Sequence, residues 1–369
     1  MRALVTRIIR FLRRIPPALE WRSKKYWGLL INSTARRVVA GTVVDARRST
    51  RRSSTRGKRL TLRFGNALGA PLVELKWFAE AVERLSGGDV RVRFLNHWTP
   101  TTNPREETTT VRGTMRGLSD LCWAGTRAFG CLGVRSLDPL QAPLLIATYA
   151  AVAAVCGDAL TADMLGPLEA LGLVGLAVLP GGLRKPFAFT RRLVDARDYE
   201  GTKLRIHESR VADATYRALG AEAVLLSTAE MIEEPEGRVD GMDIQVAAIA
   251  SWGYTGSVTY NVNLWPRTLA IAASRKTFNW LGDPERRLLR DAAHETLTRA
   301  LDELEHQEER DRDELPARVN VVLASDEQLG ALRDRVEPVY EELRADPATR
   351  NGLERVERIV AATKVPVLG

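Results

Sequence analysis

At 369 residues the chain exceeds the size at which a single hydrophobic core stops growing, which favours two lobes plus an extension and, with two lobes, a cleft. Its 45% hydrophobic and 27% charged residues are those of a folded globular protein rather than a disordered one, and no apolar run approaches the roughly 20 residues of a membrane-crossing helix. The net charge of +8 is unevenly spread: residues 1–59 carry 17 Lys and Arg against Glu20 and Asp45, a net +15, leaving −7 for residues 60–369 and excluding a nucleic-acid-binding body.

Within the extension, Val5, Ile8, Ile9 and Leu12 recur at helical spacing while Arg2, Arg7, Arg10, Arg13 and Arg14 fall largely elsewhere. Residues 2–15 are expected to form a basic amphipathic helix, either a solvated leader or a contact for a membrane surface. Arg36 and Arg37 precede VVAGTVV, but that run is short and interrupted by Gly and Thr, so no export signal is recognised. The stretch DARRSTRRSSTRGKR (45–59) reads as a flexible linker.

The body opens with LTLRFGN (60–66), where Leu60, Leu62 and Phe64 alternate with other residues as in a strand. A helix follows from near Pro71, with Leu72, Leu75, Phe78, Val82 and Leu85 on one face and Gly87-Gly88 as its stop. VRVRFL (90–95) alternates again, completing a β-α-β unit with parallel strands. The rhythm continues through a helix over about 104–116, the strand DLCWAG (120–125), a helix capped by Thr161 and ended by Gly172, and the strand VGLAVL (174–179). Beyond Gly181-Gly182, which mark a crossing between lobes, come KLRI (203–206), a helix between Ser209 and Gly220, AVLL (223–226) and a Ser227/Glu230 capping box. From Asp283 and Pro284 a long helix carries Leu289, Ala293, Leu297, Leu301 and Leu304 as one stripe, and another starts at a Ser325/Gln328 capping box. These late helices are expected to pack across both lobes.

Catalytic machinery is not visible. There is no GxSxG, GxxxxGK[ST] or HExxH motif, and His97, His207, His294 and His306 are scattered. Cys122, Cys131 and Cys156 form no CxxC, so no metal site and no cofactor are expected. Cys122 reads as a small buried hydrophobe, and a Cys122–Cys131 disulfide stays open. What stands out is Arg205 inside the strand KLRI, opposite Leu204 and Ile206. A guanidinium there can point into a crevice and grip a carboxylate with two parallel hydrogen bonds; exposure at a sheet edge or pairing with an acid is the equal alternative. Arg184, just after the glycine pair, carries the same two readings. Trp252, Tyr254, Tyr260 and Trp265 form a dense aromatic set in which Trp252 and Trp265 are candidate pocket walls and Tyr260 a core residue; Trp98, beside His97, is a further wall candidate.

The segments RGLSDLCWAG (116–125), SLDPLQAPLLI (136–146), GGLRKPFAFTRRLVDARDYEGTKLRI (181–206), RALGAEAVLLSTAEM (217–231) and GRVDGMDI (237–244) occur in one order. In that order and spacing, over roughly 60–360, the chain resembles the solute-binding subunit of tripartite ATP-independent periplasmic (TRAP) transporters. The resemblance implies a two-lobed α/β fold with a ligand cleft, bridged by the long helix from 284 onward. It divides the chain into a first lobe of 60–181 plus about 270–310 and a second of 182–269 plus about 311–365. It implies a carboxylate-gripping role for Arg205, a second for Arg184, closure on a small organic acid, and docking on TRAP permease subunits driven by an ion gradient. It also implies a periplasmic or extracytoplasmic location and no turnover. Met242-Asp243-Ile244-Gln245 stands where the family commonly shows Gln-Glu-Asn-Pro, whose Asn helps hold ligand. The rival readings are a membrane-associated or cytoplasmic solute sensor on the same fold, an enzyme on a similar fold, and nucleic-acid binding confined to residues 1–59.

Overall fold

The computed structural model describes residues 59–363 apart from 234–236, 305, 314 and 316. The amphipathic helix expected over 2–15, the Arg36-Arg37 pair and all but the last residue of the 45–59 linker lie outside the described residues.

Strand β1 (Leu60–Gly65) buries Leu62 and Phe64, as its alternation requires. Helix α1 (Val73–Leu85) lays Leu75, Phe78 and Val82 on the sheet, and Gly87 and Gly88 end it in left-handed backbone at φ 60° and 87°. Leu85, placed on the apolar face by sequence, is exposed at the last turn. The chain continues through β2 (Val90–Leu95), α2 (Glu106–Met115), β3 (Leu121–Gly125) and α3 (Thr126–Gly130). The single helix expected to run from Thr161 to Gly172 is instead α5 (Leu160–Leu165) followed by a 3-10 turn over Gly166–Leu171, with α4 (Tyr149–Gly157) ahead of it. Thr161 lies inside α5, behind the N-cap Ala159, and donates to the Asp158 carbonyl at 3.0 Å, while the Asp158 carboxylate accepts from the Leu160 N–H at 2.7 Å. The Gly166-Pro167 pair stops the α-helix there.

Strand β4 (Leu173–Leu179) completes a five-stranded sheet of order β2-β1-β3-β11-β4, into which β11 (Leu269–Ser274) returns from far along the chain, antiparallel to both β3 and β4. The second sheet has the order β12-β9-β5-β8-β6-β7 with β10 (Trp265–Pro266) beside β5. It is built from β5 (Leu183–Ala188), β6 (Lys203–Ile206), β7 (Glu222–Leu225), β8 (Gly241–Ile244), β9 (Gly256–Thr259) and β12 (Val319–Val322), with α6 (Arg210–Ala218), α7 (Thr228–Glu233) and α8 (Val246–Trp252) between strands. Both sheets are mixed: β5 runs antiparallel to β8 and β9, so the purely parallel expectation holds only for β1–β3, β6–β8 and their like.

The chain passes from the first sheet to the second at 180–182 and back at 267–268, and the Arg267 N–H donates to the Gly182 carbonyl at 3.0 Å, tying the two crossings together. After the short α9 (Arg275–Trp280), the expected long bridge is two helices. Helix α10 (Asp283–Asp302) buries Leu289, Ala292 and Ala293 against the first sheet, and after a break α11 (Gln307–Asp313) meets α8. Helix α12 (Asp326–Ala345) starts at the expected reciprocal Ser325/Gln328 capping box and packs on α6. The final helix, α13 (Pro347–Thr363), does not stay with the second lobe as the 311–365 expectation had it. Val356 and Val360 enter the core formed by Leu137, Val155 and Leu168 in the first, because α13's apolar stripe fits the groove beside α4.

Candidate functional site

A cavity of about 620 Å³ opens between elements of the two sheets. Its charged end is assembled from five strand or helix termini. At the end of β3, the Gly125 N–H donates to Glu107 Oε2 at 2.6 Å, and Arg127 two residues on donates both Nη atoms to the same carboxylate at 2.8 and 2.7 Å. A Cβ at position 125 would stand 2.4 Å from the Arg127 guanidinium, so any side chain there would push that guanidinium off its present position on Glu107. From the other sheet, Arg184 on β5 donates to the Asp243 carboxylate on β8 and, at 2.8 Å, to its carbonyl. Asp243 also accepts from Trp265 Nε1 at 3.2 Å and from the Tyr216 hydroxyl at 3.3 Å.

Arg205 on β6 lies beneath this wall rather than in it. It is only 1% exposed; its Nε donates to the Leu226 carbonyl at 3.1 Å, and its Nη2 is buried with no hydrogen-bond partner. Burial, with Arg184 nearby, lowers its pKa to about 10, which leaves it charged at neutral pH. Burial alone would raise the carboxyls of Glu107 and Asp243, but the Arg127 and Arg184 charges and their hydrogen bonds hold both below the ordinary range. His207, which lines the cavity, is driven well below its usual value by burial and by Arg205, Arg127 and Arg184, so its imidazole is neutral. Glu106 goes the other way: burial and the neighbouring Glu107 push it up to about 7 while Thr228 Oγ1 donates to it at 3.0 Å. Three guanidiniums therefore face two firmly ionised carboxylates and one carboxyl poised near neutrality.

Contacts from α2 join the two halves beside this cluster. Thr108 donates to Glu208 at 2.6 Å, Arg105 pairs with Glu208 at 3.0 Å, and Glu106 holds Thr228. At the crossing, the Tyr149 hydroxyl donates to Asp311 at 2.5 Å and accepts from the Leu183 N–H at 3.2 Å.

Of the residues singled out in the sequence, Arg184, Trp252 and Trp265 line the cavity and Arg205 adjoins it. Trp98 does not line it. Its indole lies over Gly113 of α2, where a Cβ would come within 2.6 Å of the ring, so the tryptophan serves helix packing instead. Tyr254 is likewise a core residue, donating to the Met231 carbonyl at 2.6 Å, and Tyr260 faces Lys185, whose Nζ sits 4.4 Å from its ring centroid. Arg127, Glu107 and Trp77 were missed. Arg127 carries the same signal as Arg184, an arginine within two residues of a strand end, whereas Glu107 reads as an ordinary acid in a helix's first turn.

The family model described as bacterial extracellular solute-binding protein, family 7, matches residues 72–346. The C4-dicarboxylate-binding periplasmic protein DctP of Rhodobacter capsulatus is 26% identical over 204 residues, 51% of this chain and 60% of that protein, so the match spans less than two thirds of that relative. The sugar acid binding protein DctPAm from Advenella mimigardefordensis, solved with galactonate, superposes with a TM-score of 0.69 at 22% identity over 83% of this chain and 99% of that one. The periplasmic ectoine-binding protein of the TeaABC TRAP transporter of Halomonas elongata gives 0.70 at 19% identity over 82% and 99%. At these identities the structural likeness speaks to the fold, two α/β lobes around a cleft.

Proposed function

Because the chain belongs to the bacterial extracellular solute-binding proteins of family 7, we propose that it captures a small organic acid in the cleft between its lobes and delivers it, unchanged and outside the cytoplasm, to the membrane subunits of an ion-gradient-driven TRAP permease. The observation that carries this reading is the unpartnered Nη2 of buried Arg205 beneath a wall already holding Arg127 and Arg184. A buried charged donor without an acceptor is costly, and a ligand carboxylate seated here supplies both the acceptor and the anion that the cluster lacks. The donors come from both lobes, so a bound carboxylate favours the closed arrangement, which the contacts of Glu208 and Thr228 with α2 then hold. A binding role also agrees with the hydroxyls of the wall: Thr126 pairs with Thr268, Thr228 with Glu106, and Ser251 with the Ala247 carbonyl, so none is directed at a histidine as a nucleophile would be.

A panel of carboxylates titrated calorimetrically against the protein and its Arg205→Ala and Arg205→Lys variants tests the reading. Removing the guanidinium is expected to cost about 2–5 kcal/mol of binding, at least roughly 30-fold in Kd. Lysine, which cannot form the two-pronged contact, restores only part of it. Affinity unchanged in both variants would exclude Arg205 from the site.

A further inference from the structure

Granting that the arginine cluster holds a carboxylate, we propose that the ligand is a monocarboxylate with a bulky apolar body of aromatic size, rather than a polyhydroxylated sugar acid or a dicarboxylate. Several polar side chains along the rest of the wall are already paired with one another. Gln141 accepts from Ser209 at 2.6 Å, Thr126 and Thr268 lie 2.5 Å apart, Gln307 holds Asp311 at 2.8 Å and accepts from Arg310 at 3.0 Å, and Glu74 pairs with Arg267. A ligand hydroxyl that displaced one of these pairs would do little more than replace it, so they give a polyhydroxylated body little net gain.

The remaining wall is apolar and comes from both lobes. Leu72, Trp77 and Leu269 line the cavity from the first lobe and Ile244, Ala248 and Trp252 from the second. Trp252 is only half-buried and keeps indole surface that a ligand body can cover, while Trp77, also half-buried, already has the Arg299 guanidinium 4.3 Å from its ring. Ile244 is fully buried against the cavity and offers no hydrogen bond. The volume of about 620 Å³ suits a ring-bearing ligand and leaves a four-carbon diacid loosely surrounded. A second carboxylate would also meet no cation lacking a carboxylate partner: Arg310 pairs with the Glu303 side chain at 3.6 Å and Arg267 with Glu74, although Arg267 Nε stays buried without an acceptor and can serve one oxygen of a ligand. Gln245, the Gln141 amide nitrogen, Arg267 Nε and the neutral His207 keep hydrogen-bonding atoms uncommitted, for isolated polar substituents on an otherwise apolar body.

The test titrates the full chain calorimetrically with 3-phenylpropanoate, galacturonate, succinate and 3-phenylpropanamide, and repeats the first with Trp252→Ala. The expected result is 3-phenylpropanoate binding at least about tenfold more tightly than galacturonate and succinate, with a negative heat-capacity change from apolar burial, and weakened about tenfold in the variant. Galacturonate or succinate binding as tightly or more tightly, and weakened in Arg205→Lys, would overturn the apolar-body proposal while leaving the carboxylate reading in place. The amide binding as well as the acid would overturn the carboxylate reading itself. No binding by 3-phenylpropanoate overturns the proposal irrespective of how Trp252→Ala folds.

Discussion

Glu106 shows how one side chain can tune the site. Its neighbours are Glu107 on its own helix, Arg127 from α3, Arg205 from β6 and the Thr228 hydroxyl from α7, and burial among them lifts its pKa from 4.5 to about 7. A folded-state value above the unfolded one means that its stabilising contribution is complete below about 4.5 and is lost as pH rises through about 7. A ligand carboxylate placed on the same arginines adds an anion and raises Glu106 further, so binding takes up a proton. Affinity for a carboxylate is therefore expected to increase from pH 8 to pH 6 in the wild type and to stay flat in Glu106→Gln, which keeps the Thr228 contact; titrations at the two pH values check this, and a flat wild type would refute it. Asp243 plays the opposite part. Its carboxylate, held ionised by Arg184 and Trp265, neutralises Arg184 without hydrogen-bonding Arg205, and Glu107 does the same for Arg127, so under the proposed reading the ligand's anion depends most on Arg205.

Individual elements were legible where local chemistry decides them. The Ser227/Glu230 and Ser325/Gln328 boxes, the Ser209 cap and the alternation of β1 and β2 read directly from residue type and spacing, and the structure carries each of them. Illegible were features that depend on residues distant in sequence. Nothing in LAIAAS announces that β11 inserts between β3 and β4, and the bidentate Glu107–Arg127 pair joins a helix start to a strand end that only the fold brings together. Helix α13 is the sharpest case, since its stripe shows that it packs but not on which lobe. Leu353 sits fully buried on α13 with Val339 and Leu343 of α12, and Val356 and Val360 reach the first-lobe core. Leu353→Ala is expected to cost about 2–5 kcal/mol in urea unfolding, whereas Glu354→Ala on the exposed face should stay within about 0.5 kcal/mol; equal effects would show that α13 is not a structural clasp.

On the scale of the whole molecule, the two lobes are interleaved along the chain rather than consecutive. Two crossings lie side by side through the Arg267–Gly182 backbone bond, and α10 and α11 provide a third link. All six residues of β11 are buried between β3 and β4 in the first sheet, so a fragment of residues 59–181 would leave the facing edges of β3 and β4 without partners. Such a fragment is expected to show no cooperative unfolding transition, where the 59–369 chain shows one; a cooperative transition in the fragment would mean that the gap closes by direct β3–β4 pairing. The same insertion constrains how the protein is made. After Leu179 leaves the ribosome, the strand that completes its sheet is not yet synthesised and follows only after Leu269, roughly 5–20 s later at ordinary elongation rates. During that interval β3 and β4 have no strand to join them, their unpaired apolar segments are a template for wrong partners and a binding site for chaperones, and the first lobe can mature only after most of the second has been translated.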